Sequence, residues 1–339
     1  MADSTRPDQE VLDCWWQTFV ATGALPADLV RVQGRLIRAV HRGELPSGPV
    51  HVKTMTFPRP KDRLRYAFRA LPAVHEANML RLTKAAAIPC PEVLDVRVQR
   101  RALLPHRSML VLRTLTLSDE PEDAAQRLVD EIDLANRLLF AGIHHRDLHT
   151  ENFIRKAGGE LAVLDMQSAS RIRSNQTLSP TVRIAVASRL LRDRQQGERP
   201  AALAHMRGVG LLRNDPEIAS VVARVEQLQR HYHDSRIRRC LLNSTEFTRR
   251  TCASGVEYRL RGELPEGRWW RGGRSLRRAW IGQRVRSLQQ GTPPVFAAFF
   301  QKWWWLGGGS ALYVPDQCED EQIEVEVRSA SSAATRSVR

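Results

Sequence analysis

Residues 143–154 read Ile-His-His-Arg-Asp-Leu-His-Thr-Glu-Asn-Phe-Ile. A turn follows at Lys156 to Glu160, then Leu161-Ala-Val-Leu-Asp165-Met166. Upstream, over 119–141, Ala124, Leu128, Ile132, Ala135 and Leu139 recur every three or four residues. That period predicts a helix, and Gly142 ends it. The order is therefore helix, polar loop, hairpin, and an apolar strand ending in an aspartate 18 residues after Asp147.

The loop fits the pattern H-R-D-L-x-x-x-N, the catalytic loop of protein-kinase-like folds, with His145, Arg146, Asp147 and Asn152 at its fixed positions. An H-R-D tripeptide alone is weak. The preceding helix and the following strand with its aspartate make the signal strong. The chemistry accounts for the spacing. Asp147 would face an acceptor hydroxyl and take or orient its proton. Asn152 would hold Mg²⁺ across the loop, and Asp165, carried back on the second arm of the hairpin, would hold the Mg²⁺ bridging nucleotide phosphates. Arg146 and His145 are expected to fix the loop rather than to transfer protons.

The upstream half carries a companion pattern. Val50-x-Val52-Lys53 resembles the V-A-I-K strand whose lysine meets the α- and β-phosphates. Lys53 is read as catalytic and nucleotide-binding, with Val52 beside it at the nucleotide. Lysine is scarce here (Lys53, Lys61, Lys84, Lys156, Lys302), so one at a motif position carries weight. Glu76, 23 residues on, lies on a helix predicted over 72–86 and is the expected ion-pair partner of Lys53. The bland alternative makes Lys53 a solvated strand residue and Glu76 an exposed helix charge, a pairing of little worth. No G-x-G-x-x-G precedes Lys53, Met166-Gln167 follows Asp165 where a protein kinase has Phe-Gly, and no A-P-E segment follows. These absences argue against a conventional protein kinase.

The sequence resembles the lipopolysaccharide kinase family, small kinase-like phosphotransferases acting on Kdo or heptose sugars of the bacterial envelope. The resemblance rests on Arg38-Ala-Val, Val52-Lys53, Glu76-Ala-x-x-Leu80 and Ile88-Pro89-x-Pro91, then His145-Arg-Asp-Leu-His-x-x-Asn152-Phe153 and Leu164-Asp165-Met-Gln167. It covers roughly residues 30–175. It implies an α+β, protein-kinase-like two-lobed fold, with a small antiparallel β-sheet lobe and a helical lobe. It implies ATP and Mg²⁺ as cofactors, Lys53 as phosphate ligand, Asp147 as catalytic aspartate, and Asn152 and Asp165 as metal ligands. Many members have His at the loop asparagine and His-Arg after the metal aspartate; Asn152 and Gln167 depart from that. The implied activity is ATP-dependent phosphorylation of a sugar or glycolipid hydroxyl at the cytoplasmic face of a membrane. An atypical protein serine/threonine kinase and a pseudokinase scaffold are the alternatives.

Beyond this segment the chain repeats itself. Arg42-Gly-Glu-Leu-Pro46-x-Gly48 recurs as Arg261-Gly-Glu-Leu-Pro265-x-Gly267. Helix 276–290 and strands 295–301 and 310–314 match 72–86, 92–98 and 109–112 in order. Residues 246–316 are read as a partial, degenerate copy of the small lobe, in which Gly272 replaces Lys53. A coincidental match in a helical extension is the competing view. The expected organisation is a helical lead-in over 1–28, a small lobe over 29–116 and a helical lobe over 117–245. The copy over 246–316 and an acidic, then disordered tail over 317–339 complete it. Trp269-Trp270 and Trp303-Trp304-Trp305 are read first as core or interface packing, with sugar or lipid headgroup contact as the alternative.

With 339 residues the chain has room for about two domains at ~150 residues each. Its longest apolar runs, such as Val295 to Phe300, fall far short of the ~20 residues of a membrane span. No secretory signal pattern opens it. Five scattered cysteines (Cys14, Cys90, Cys240, Cys252, Cys318) have neither zinc-ligand spacing nor a disulfide pattern. The net charge of +15 speaks about partners rather than fold. It fits an anionic membrane surface or an anionic acceptor; nucleic acid is not expected, because no recognition motif accompanies the charge. Arginines that follow the motif (Arg171, Arg173, Arg183, Arg189, Arg192, Arg194) suit carboxylate and phosphate groups of an acceptor.

Overall fold

Helix α1 (Thr5–Thr22) leads into a five-stranded antiparallel sheet: β1 (Val30–Gly34), β2 (Arg38–Leu45), β3 (Gly48–Thr56), β4 (Val93–Arg101) and β5 (Leu104–Arg113), in the order β1-β2-β3-β5-β4. In this computed structural model the described residues are 5–34, 37–118, 121, 123–172, 178–192, 194–244, 247–261, 267–272, 274–290 and 297–315. The expected tail over 317–339 and the repeated residues 262–266 lie outside them, as does Arg173. The chain divides into two units, residues 1–228 and 229–339.

Strand alternation decides what the sheet does. Val50 and Val52 point to one face, where Leu12 and Trp15 of α1 join them with Met109 and Val111 of β5. His51, Lys53 and Met55 point to the other. There α3 (Pro72–Ala85) covers the sheet, its Ala77 and Leu80 sharing a core with Leu110 and Leu112. Pro72 stands at the first helical position, where its missing N–H costs nothing. A short helix missing from the sequence reading, α2 (Pro60–Ala67), lies between β3 and α3. The β2–β3 turn is tight, since β2 runs on to Leu45 and β3 begins at Gly48.

Helix α4 (Ala124–Phe140) starts at Asp123, whose carboxylate accepts from the Ala125 N–H at 3.1 Å. It stops at Gly142, whose φ of 73° suits glycine. Two short ladders follow: β6 (Ile143–His145) pairs with β9 (Ala169–Arg171), and β7 (Phe153–Arg155) with β8 (Leu161–Val163). Helices α5 (Pro180–Arg192), α6 (Arg199–Gly208) and α7 (Asp215–Cys240) complete the first unit, which divides from the second within α7. A buried pair, Arg183 with Glu217, joins α5 to α7.

The second unit has its own core. Strands β10 (Phe247–Cys252), β11 (Gly255–Leu260) and β12 (Gly267–Gly272) precede α8 (Arg274–Gln290). Strands β13 (Ala298–Lys302) and β14 (Gly309–Pro315) follow it. Trp280 of α8 is fully buried, stacked on Phe299 at 5.4 Å and edge-on to Phe247 at 5.7 Å. Both units place three strands before their helical segment and two after it, with two helices (α2 and α3) in the first and one (α8) in the second, but this sheet runs β10-β11-β13-β14-β12. Its third strand sits at the edge instead of in the middle.

Candidate active site

The site assembles where the α3 face of the first sheet meets the two short ladders. Lys53 extends from β3 and its Nζ lies 2.6 Å from Glu76 Oε1 and 3.4 Å from Asp165 Oδ1. Glu76 is buried at 2% exposure, on the α3 turn that faces the strand. Burial holds its carboxyl above the ordinary carboxylate range, and Lys53 only partly offsets this. For Lys53 burial alone would favour the neutral amine, but attraction to Glu76 and Asp165 prevails and the ammonium is held above the usual lysine range. The expected pair therefore forms, with a third charge added.

Asp165 closes the strand-like run of β8 and takes a left-handed backbone, φ 51° and ψ 53°. That region is uncommon for residues other than glycine, though aspartate tolerates it. Its neighbour Gln167 accepts from Arg38 Nη1 at 2.5 Å, and Ala169 O meets His75 Nε2 at 2.7 Å. These two contacts pin the segment after Asp165 to β2 and to α3.

Asn152 is buried and donates through Nδ2 to the backbone carbonyl of Asp147 at 2.6 Å. The Leu164 N–H donates to Asn152 O at 2.8 Å, so Asn152 lies across the hairpin from the residue before Asp165. The Asp147 carboxylate is 60% exposed, with Arg189 Nη1 of α5 at 3.8 Å. Behind the loop, the buried Glu131 of α4 accepts from Arg127 Nε at 2.9 Å and pairs with Arg194. Arg127 also donates to the carbonyls of Thr150 (3.3 Å) and Phe153 (3.2 Å).

The structure thus brings together Lys53, Glu76 and Asp165, and places Asp147 and Asn152 on one loop. Val52 is not with them. Alternation sends it to the α1 face, where it is fully buried. His51 takes the place on the cleft face, its Nδ1 2.9 Å from Thr114 Oγ1. Arg189, Glu131 and Arg38 were not singled out as site residues. Arg189 stood only among the post-motif arginines, and nothing in its local sequence marks it as the one beside Asp147.

Asn152 and Asp165 offer oxygen donors of the kind a hard divalent cation takes when phosphates complete its shell. Among the described residues no cluster of three or more His, Cys, Asp or Glu side chains forms a further metal site.

Residues 33–179 match the model of the Lipopolysaccharide kinase (Kdo/WaaP) family, which bears out over that segment the resemblance carried by the motifs. A solved structure described as "WaaP in complex with acyl carrier protein" is similar over 66% of this chain and 97% of that one, at 17% identity and a TM-score of 0.44. No curated protein matches the chain.

Proposed function

We propose that the protein is an ATP-dependent phosphotransferase that moves the γ-phosphate of ATP to a hydroxyl of a lipopolysaccharide core sugar, Kdo or heptose, or of a related envelope sugar. The observation that carries this reading is the Lys53 ammonium held between Glu76 and Asp165, on the sheet face beside the Asp147 loop. In it, Lys53 meets the nucleotide phosphates and Glu76 keeps the ammonium extended from β3. Asp147 orients the acceptor hydroxyl and takes its proton as the oxygen attacks the γ-phosphorus and ADP leaves. Asn152 and Asp165 would hold Mg²⁺, which when bound offsets charge on the transferred group. The guanidinium of Arg189 beside Asp147 suits an acceptor with a carboxylate or phosphate near the reacting hydroxyl.

The family match over residues 33–179 and the absence of an A-P-E segment support a sugar rather than a protein acceptor. The test is transfer of labelled phosphate from ATP into envelope glycolipid and into whole-cell protein, side by side, with Asp147→Asn as control. Label in glycolipid that disappears in the variant is the expected result. Asp147-dependent label in protein alone would overturn the sugar reading in favour of an atypical protein kinase. No Asp147-dependent label in either would leave a scaffold.

A further inference from the structure

In the second unit Lys302 opposite Gly309 closes the β13–β14 hairpin, and residues 303–308 form its tip. Trp303 roots that tip. Its ring packs on the unit's core and its Nε1 donates to Cys252 O at 3.2 Å. Trp305 stacks on Trp303 with centroids 4.9 Å apart and planes 11° from parallel, and Trp304 stands edge-on to Trp305 at 5.8 Å. The stack runs outward: Trp304 is 81% exposed, Trp305 58% and Leu306 41%. Packing, the first reading of these tryptophans, holds for Trp303 and Trp270 and fails for Trp304 and Trp305. Contiguous exposed apolar surface of this kind marks an interaction site.

The charge around the tip identifies the partner. Strand register puts Arg250, Lys302 and Arg271 on the sheet face turned away from α8, toward the same end as the tip, and all three are exposed. Among the described residues of 247–315 the acidic side chain is Glu257 alone, and it pairs with Arg259 at 3.1 Å. Like charge opposes a second copy at this face. A sugar platform needs open ring faces, and one face of Trp305 is already taken by Trp303.

We propose that this tip docks on an anionic lipid surface. Trp304 and Trp305 sit at headgroup level, where an amphipathic indole is at home, and Lys302, Arg271 and Arg250 meet the anionic headgroups. Each cation near such a surface changes binding about fivefold. Among the described residues no helix is long and apolar enough to cross a membrane, so this contact is peripheral.

The test is co-sedimentation of the full chain with vesicles of phosphatidylcholine, with and without phosphatidylglycerol. Binding only to the phosphatidylglycerol vesicles, weakened by salt, is expected. Trp304→Ala with Trp305→Ala, both at exposed positions, should weaken it at least tenfold, and Lys302→Glu with Arg271→Glu comparably. The Asp147→Asn variant should bind vesicles like the parent, which separates this inference from the catalytic reading. Vesicle binding unchanged by the tryptophan pair would overturn it. So would tryptophan-dependent binding to a soluble polyuronate without vesicle binding, or tryptophan-dependent self-association instead.

Discussion

His145 Nε2 lies 3.0 Å from the carbonyl oxygen of Asp165. On the opposite side of the ring, Nδ1 accepts the Asp147 N–H at 3.3 Å. The two contacts assign the proton to Nε2, which donates to Asp165, and make one neutral imidazole the tie between the two aspartates of the site. The side chain is buried, consistent with a loop-fixing role.

A pH dependence follows from that tie. Burial, opposed by the two carbonyls near Nε2, holds His145 below the ordinary histidine value of 6.5. As pH falls below about 6.5 the unfolded chain takes up this proton before the folded chain does. The contribution of the neutral ring is therefore full above that value and is lost as pH drops through the lower, folded value. His145→Asn should remove up to about 1.4 kcal/mol per pH unit from the acid slope of unfolding free energy. Urea denaturation between pH 7 and 5 (roughly the interval that matters) checks it. An unaltered slope would show that His145 titrates alike in both states.

The Lys53–Glu76 pair makes a second expectation. Lys53→Ala removes the cation that lies beside Asp165 and that the proposed reaction sets against the phosphates, and should lower turnover by orders of magnitude. Glu76→Gln keeps volume and burial but loosens the ammonium, so kcat should fall by about tenfold or more with a smaller change in ATP affinity. Asp165→Ala should remove Mg²⁺-dependent ATP binding. Calorimetric ATP titrations with and without Mg²⁺ read all three, and parent-like binding by the lysine and aspartate variants would move the nucleotide elsewhere.

Much of this was legible in the sequence because short-range pattern carries it. The helix Ala124–Phe140, the Gly142 stop and the hairpin from Phe153 to Val163 follow from period and turn chemistry. The Lys53–Glu76 contact follows from a strand and a helix of known spacing. Val52 neighbours Lys53 in sequence but not in the cleft, because adjacent strand residues face opposite ways. Helix α2 is not legible in the sequence, because its charged residues give no apolar stripe to read. The edge position of β12 and the approach of Arg189 to Asp147 are decided by tertiary packing, to which no local period corresponds.

The buried carboxylate of Glu131 supplies a stability test. Two arginines and the Thr150 hydroxyl, at 3.5 Å, surround it, and one of those arginines also holds the carbonyls that frame Asn152. Glu131→Ala leaves these guanidinium groups without their anion in the interior, a change worth about 3–5 kcal/mol. Thermal unfolding should show it. Because Arg127, which donates to the carbonyls framing Asn152, would lose the carboxylate that orients it, turnover should fall further than the unfolded fraction explains. Activity in proportion to folded protein would limit Glu131 to stability.

Arg189 offers the sharpest test of what the acceptor carries. Its guanidinium stands 3.8 Å from Asp147 and partly exposed, on the helix that borders the loop. Burial holds it below the ordinary arginine range; Asp147 works against that, and Arg192 and Arg224 add repulsion. The group remains a cation in positive surroundings, with its neighbour Asp147 committed to the hydroxyl in the proposed reaction. A second anion, from the acceptor, would relieve that field, and a charge-assisted contact of this kind contributes about 1.5–3 kcal/mol. Arg189→Gln should accordingly raise the KM for an anionic sugar acceptor by about 10- to 100-fold, leave the KM for ATP unchanged, and affect a neutral analogue little. Should Arg189 only occupy Asp147 while the acceptor is absent, the glutamine variant would instead raise kcat and leave the acceptor KM alone. That outcome would remove Arg189 from the acceptor site.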